Sequence, residues 1–128
     1  MKSFLIALSL ILAVSVFVCI NAHCTVRTID ELLTLANELP KTAEEWDTAH
    51  EGAADTVTAL CTLWDKKFPF IAFTAGYENT NRCDEAIGAM LVHFQNENDT
   101  DFTVARAEFC DCLKRLRILE GFHIQGIL

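Results

Sequence analysis

The stretch TAEEWDTAHEGAADTVTALCTLWDKK, from Thr42 to Lys67, decides the fold class. Its apolar residues, Trp46, Ala49, Ala53, Val57, Leu60, Cys61 and Trp64, recur by threes and fours. That spacing gathers them on one face of an α-helix, whose period is about 3.6 residues. Thr42 followed three residues later by Glu45 reads as a capping box, in which each side chain satisfies a backbone N–H that the first turn leaves unpaired. Lys66 and Lys67 stand where the negative end of the helix dipole favours cations. Gly52 weakens the middle by about 1 kcal/mol relative to alanine.

The same pattern repeats on both sides. Upstream, Thr28 and Glu31 form a second capping box, followed by Ile29, Leu32, Leu33, Ala36 and Leu39, with Pro40 as the stop. Downstream, the spacing predicts a third helix from about Arg82 to Gln95, with Cys83, Ile87, Met90, Leu91 and Phe94 on one face. A polar loop, Asn96 to Asp101, leads into a fourth helix that starts near Thr100 or Asp101 and ends near Gly121. Its face is Phe102, Ala105, Phe109, Cys112, Leu113, Leu116 and Leu119, and Lys114, Arg115 and Arg117 crowd its end. Phe68 to Phe73 is too short and too apolar to assign by period, and the tail from Phe122 to Leu128 carries no assignment. Four amphipathic helices with short connections predict an all-α fold, a small disulfide-stabilised antiparallel bundle of about four helices.

The N-terminus has a different grammar. Met1-Lys2-Ser3 is followed by an apolar run from Phe4 to Ile20, broken only by Ser9 and Ser15. One basic residue, an apolar stretch and then small or polar residues describe a secretory signal peptide. A retained signal-anchor is the competing expectation, because a transmembrane helix needs only about 20 apolar residues. Cleavage after Ala22 gives residues 1–22 as leader and 23–128 as one helical domain. Cleavage after Ser15 fits the small-x-small rule through Ala13 but leaves the greasy terminus Val16-Phe17-Val18, so Ala22 is preferred. The expected location is extracellular, with no membrane span in the mature chain.

Secretion changes the reading of the six cysteines, Cys19, Cys24, Cys61, Cys83, Cys110 and Cys112. An oxidising compartment favours disulfides over thiols. A zinc site needs close cysteine pairs in two places or a partnering histidine pair, and only Cys110 and Cys112 are close. Cleavage after Ala22 removes Cys19 and leaves an odd number. Cys61 and Cys83 both fall near the turn between helices two and three, and Cys24 starts at the end where helix four finishes. The expected bridges are therefore Cys61–Cys83 and Cys24–Cys112. Cys110, off the apolar stripe, is left free or joins a second chain in a disulfide-linked dimer.

Charge and motif restrict the function. Ten basic residues stand against eighteen acidic ones, a net charge of −8, or −9 once Lys2 leaves with the leader. Such a chain repels nucleic-acid phosphates. His50-Glu51 lacks the second histidine of a zinc-protease helix, since Ala54 occupies that position. All serines, Ser3, Ser9 and Ser15, fall within the leader, which excludes a serine nucleophile in the mature chain. Most carboxylates fall in first turns of helices, where they complement the dipole. His23, His93 and His123 share no helical face with another ligand at metal spacing. Neither catalytic residue, metal nor cofactor is expected. Asn98-Asp-Thr100 is a glycosylation sequon in a polar loop. Phe68, Phe70 and Phe73 cannot all hide on one helical face, so they either lid the bundle or form an apolar binding patch. The expectation is a secreted non-enzymatic protein that binds an extracellular protein or receptor, as cytokines, hormones, toxins or effectors do. The alternative is a carrier that encloses a small apolar ligand or lipid between its helices.

Overall fold

Four helices account for nearly the whole chain in the computed structural model, which describes residues 1–127 and the side chains of all of these except His50 and residues 121–127. They are α1 (Lys2–Asn37), α2 (Ala43–Ala75), α3 (Tyr77–Gln95) and α4 (Asp99–Ile127). Among the described residues there is no strand. Each helix is longer than periodicity alone predicts, and each extension has a local cause.

The capping box at Thr42 is used. Its Oγ1 accepts the Glu45 backbone N–H at 3.2 Å, and the Glu45 carboxylate accepts the Lys41 N–H at 2.8 Å. The one at Thr28 is not. Thr28 lies inside α1 and its hydroxyl donates to the Cys24 carbonyl at 2.9 Å. The apolar run and the first amphipathic segment are therefore one helix of 36 residues. No residue between them breaks helical geometry, so the cap is bypassed.

α2 runs through Lys66, Lys67 and Pro69 to Ala75. Proline removes one backbone donor and crowds the preceding turn. Burial of Ile71 and the packing of Phe68 on Trp64 and Tyr77 carry the helix past it. Gly76 alone joins α2 to α3. Its φ of 92° and ψ of 141° are open to glycine and hostile to other residues. Its N–H closes α2 on the Ala72 carbonyl, and its own carbonyl receives the Thr80 N–H and hydroxyl. Between α3 and α4 the chain makes a Schellman turn: Asn98 N–H reaches the His93 carbonyl and Glu97 N–H the Phe94 carbonyl. Glu97 takes the left-handed position, φ 54°. Asn98 then caps α4 through its Oδ1, which accepts the Asp101 N–H at 3.3 Å.

Contacts between the helices give the topology. Thr25 meets Thr74, Trp64 meets Asp84, Phe94 meets Phe102, and Asp30 meets Arg117. Every adjacent pair is antiparallel, and α4 closes the ring against α1. The expected all-α bundle forms, with its adjacent helices antiparallel, but no cysteine pair in it is bonded. Its axis is filled by Ile29, Leu32, Leu60, Trp64, Met90, Phe102, Phe109 and Leu113, all buried. Each such large apolar side chain contributes about 1.5–3 kcal/mol by leaving water. Trp46 closes one end against Phe94 and Phe102, with ring centroids 5.6 and 5.0 Å away.

α4 packs between α1 and α3, so its buried surface is wider than one stripe. Arg106, 8% exposed, points at α1: Nε donates to the Ala36 carbonyl at 2.9 Å and its guanidinium also reaches Asn37 Oδ1. A cation at the carbonyl end of α1 satisfies groups the helix leaves open and opposes its dipole. The N-terminal half of α1 has no such packing. Its apolar side chains from Phe4 to Ile20 are exposed, except the half-buried Cys19, and the arm from Lys2 to Asn21 extends roughly 30 Å.

Candidate functional site

The cysteines sit where helix length, not turn position, puts them. All six are free thiols in the structure. Cys83 lies on the core-facing side of α3 with no exposed surface, and Cys112 reaches it from α4, half-buried. The two thiols are close neighbours across the α3–α4 interface. Burial pushes the Cys83 thiol well above its ordinary range, and the neighbouring Cys112 adds to the shift. Above this pair runs a groove of about 440 Å³ between α3 and α4. Arg82, Glu85, Ala86 and Ala89 wall it on one side, and Glu108, Asp111, Cys112 and Arg115 on the other. These positions recur by threes and fours on facing helices, so the groove is a regular consequence of the packing.

The expected bridges are not brought together. Cys61–Cys83 assumed that both residues border the α2–α3 turn. With α2 extended to Ala75 and α3 begun at Tyr77, both lie well inside their helices. Cys61 is level with Ile87, Gly88 and Leu91, while Trp64 is the residue that meets Asp84 beside Cys83. Cys24–Cys112 assumed that helix four finishes soon after Cys112. It continues to Ile127, and Arg106 and Arg117 meet α1 at Ala36 and Asp30. Cys112 is thus level with residues between 30 and 36, more than a turn past Cys24.

Cys110, expected at the edge and free for a second chain, is 6% exposed, one helical turn past the buried Arg106. Burial raises its thiol, opposed by Arg106, Lys114 and Lys41. Cys61 is half-buried and likewise raised, first by burial and then by Asp65. Cys24 is exposed on α1.

The three phenylalanines do not form one patch. Phe68 packs against Trp64 and Tyr77 at 5.8 and 6.4 Å, while Phe73 is 79% exposed. Phe70 is half-buried, and at 100° per residue it falls nearer Phe73 than Phe68. Phe73 walls an apolar cleft of about 340 Å³ at the root of the N-terminal arm, with Val14, Phe17, Val18, Asn21, Ala22, Thr74 and the buried Glu120. Asn98 is exposed, and its Nδ2 donates to Asp101 at 2.7 Å. His23 is exposed and His93 half-buried; the side chains of His50 and His123 lie outside the described residues. Among the described residues no three His, Cys, Asp or Glu side chains gather as metal ligands would.

Sequence reasoning missed Arg106, Glu120 and the Thr25–Thr74 contact. Arg106 lies four residues after Phe102 and four before Cys110, squarely in the buried register. Position was the available signal, and charge concealed it. Comparison with protein-family models, curated proteins and solved structures found no match to this chain.

Proposed function

We propose that the chain is a secreted, non-enzymatic helical-bundle protein whose mature domain, residues 23–128, binds an extracellular partner such as a receptor. One observation carries the secretory part. The most apolar window of α1, with a mean hydropathy of 2.8, has none of its residues buried against the bundle. A helix that is apolar all round and serves a soluble core is buried. This one is left for an apolar environment outside the fold, as a signal peptide or a membrane anchor requires. The binding part rests on the acidic mature chain and the partly charged α3–α4 groove.

In the oxidising compartment that this reading implies, disulfides stabilise the bundle. A covalent dimer falls to exposed Cys24 rather than buried Cys110. Asn98, exposed at the start of α4, is the proposed glycan site. The carrier reading is less favoured, because side chains fill the bundle axis and the apolar cleft takes four of its lining residues, Val14, Phe17, Val18 and Asn21, from the arm.

Intact mass of protein collected from its host, with and without reductant, tests the secretory half. The expected species begins at His23 in the medium and carries a glycan. Chain retaining residues 1–22 in the membrane fraction would show an anchor instead. Labelled mature protein should then bind host cells saturably and be displaced by unlabelled protein. Absence of saturable binding, with a lipid co-purifying in native mass spectra, would replace this reading by the carrier.

A further inference from the structure

We infer that Cys83 and Cys112 form a disulfide that staples α3 to α4 beneath the groove between them. Three observations converge on this pair. The two side chains are close enough for the Cys83 thiol to sense the charge of Cys112. Independently, Cys112 faces Arg82 and Ala86 across the groove, and these stand one residue before and three residues after Cys83. Each of the other thiols of residues 23–128 faces a different neighbour. Cys61 borders the α2–α3 furrow, Cys110 is buried beside Arg106, Lys114 and Lys41, and Cys24 is exposed on α1.

In the structure both sulfurs are thiols, short of bonding distance. Side chains on facing helices close that gap by χ1 rotation and small helix shifts, provided the backbones are near enough for disulfide geometry. The order of chemistry follows exposure. Cys112 opens on the groove, whereas Cys83 is sealed in the core. Cys112 is therefore the first to meet the oxidant, a small-molecule disulfide. Its thiolate attacks one oxidant sulfur, breaking the oxidant S–S bond and releasing one thiol. The Cys83 thiolate then attacks the Cys112 sulfur of the mixed disulfide and releases the second thiol. The two protons leave on the two released thiols, the protein loses two hydrogens, and the oxidant gains them. Burial holds the Cys83 proton tightly, so the second step is the slow one.

That the bond forms in the host rests on the secretory reading; that these two residues are the pair does not. Purified reduced chain is treated with oxidised glutathione, alkylated, and cut on the N-terminal side of aspartate without reduction. Because Asp84 follows Cys83 and Asp111 separates Cys110 from Cys112, the expected product is the peptide 65–83 joined to the peptide beginning at Asp111. Linkage of 65–83 to the peptide that holds Cys61, or to the one that ends at Cys110, would overturn the assignment. So would alkylation of Cys83 and Cys112 together in fully oxidised, helical protein. Cys112→Ala should abolish the cross-link and leave the glutathione adduct at position 112 absent. Cys83→Ala should instead trap glutathione on Cys112, a result that requires only that Cys112 be reachable. Absence of the same bond from host protein, with the test-tube bond intact, would count against secretion and not against the pairing.

Discussion

Gly76 makes two helices end and begin on a single residue. A Cβ built there meets nothing closer than Asn79 Nδ2 at 4.0 Å, so space is not the constraint. The constraint is the backbone, because a φ of 92° is strained for any residue with a side chain. Gly76→Ala should therefore cost about 1–3 kcal/mol, read as a lower urea midpoint with an unchanged m-value. Arg106 is the other residue whose loss should be felt. Removing its guanidinium leaves the Ala36 carbonyl without its donor, and hydrogen bonds from a charged group are worth about 1.5–3 kcal/mol. Arg106→Met keeps most of the stem's packing and should still lose about 2 kcal/mol; an unchanged denaturation midpoint would mean that water replaces the guanidinium there.

At the scale of the element, the two capping boxes make a controlled comparison. Both have threonine followed three residues later by glutamate, yet only Thr42 starts a helix. Thr42→Ala should cost about 1 kcal/mol. Thr28→Ala, inside α1, loses a hydroxyl bond to its own helix and gains helix propensity, so its effect should be smaller. Urea denaturation of the two variants side by side checks the ranking. This pair also marks how far the sequence was legible. Apolar spacing located all four helices and most of the core. It missed the start of α1, where no residue between the apolar run and Thr28 breaks the helix, and the end of α2, where Ile71 and Phe68 carry it across Pro69. The two expected bridges were drawn from turns that lie elsewhere. The α3–α4 groove was hidden for another reason. Arg82, Glu85, Glu108 and Arg115 read as ordinary solvated helix surface until the facing helix is known.

For the whole molecule, buried thiols couple stability to pH. Burial raises Cys61, Cys83 and Cys110 above the ordinary thiol value of 9.0. Below that value the folded and unfolded chains both keep these protons. Above it the unfolded chain releases them first, so unfolding gains and stability falls as pH rises through the raised folded values. Reduced protein should hold its urea midpoint from neutral pH to about pH 9 and lose it beyond. Protein oxidised at Cys83 and Cys112 should lose less over the same range, since its most strongly raised thiol no longer titrates. Its stability should also start higher, by about 3.6 kcal/mol for a closed loop of roughly 30 residues. Equal alkaline losses in the two forms would place the linkage on Cys61 and Cys110 alone.

The unbroken course of α1 through Ala22 imposes a sequence in time. A protease that trims a leader needs several residues of extended backbone across the bond it cuts. Here the bond after Ala22 is helical, and Ala22 itself is covered. Along the proposed secretory route the scissor must therefore arrive before the fold does. A chain that wins the race to its native state has hidden its own cutting point and keeps its arm. The nascent chain's pace of folding, more than the local residues around the bond, then decides which of the two products a cell obtains.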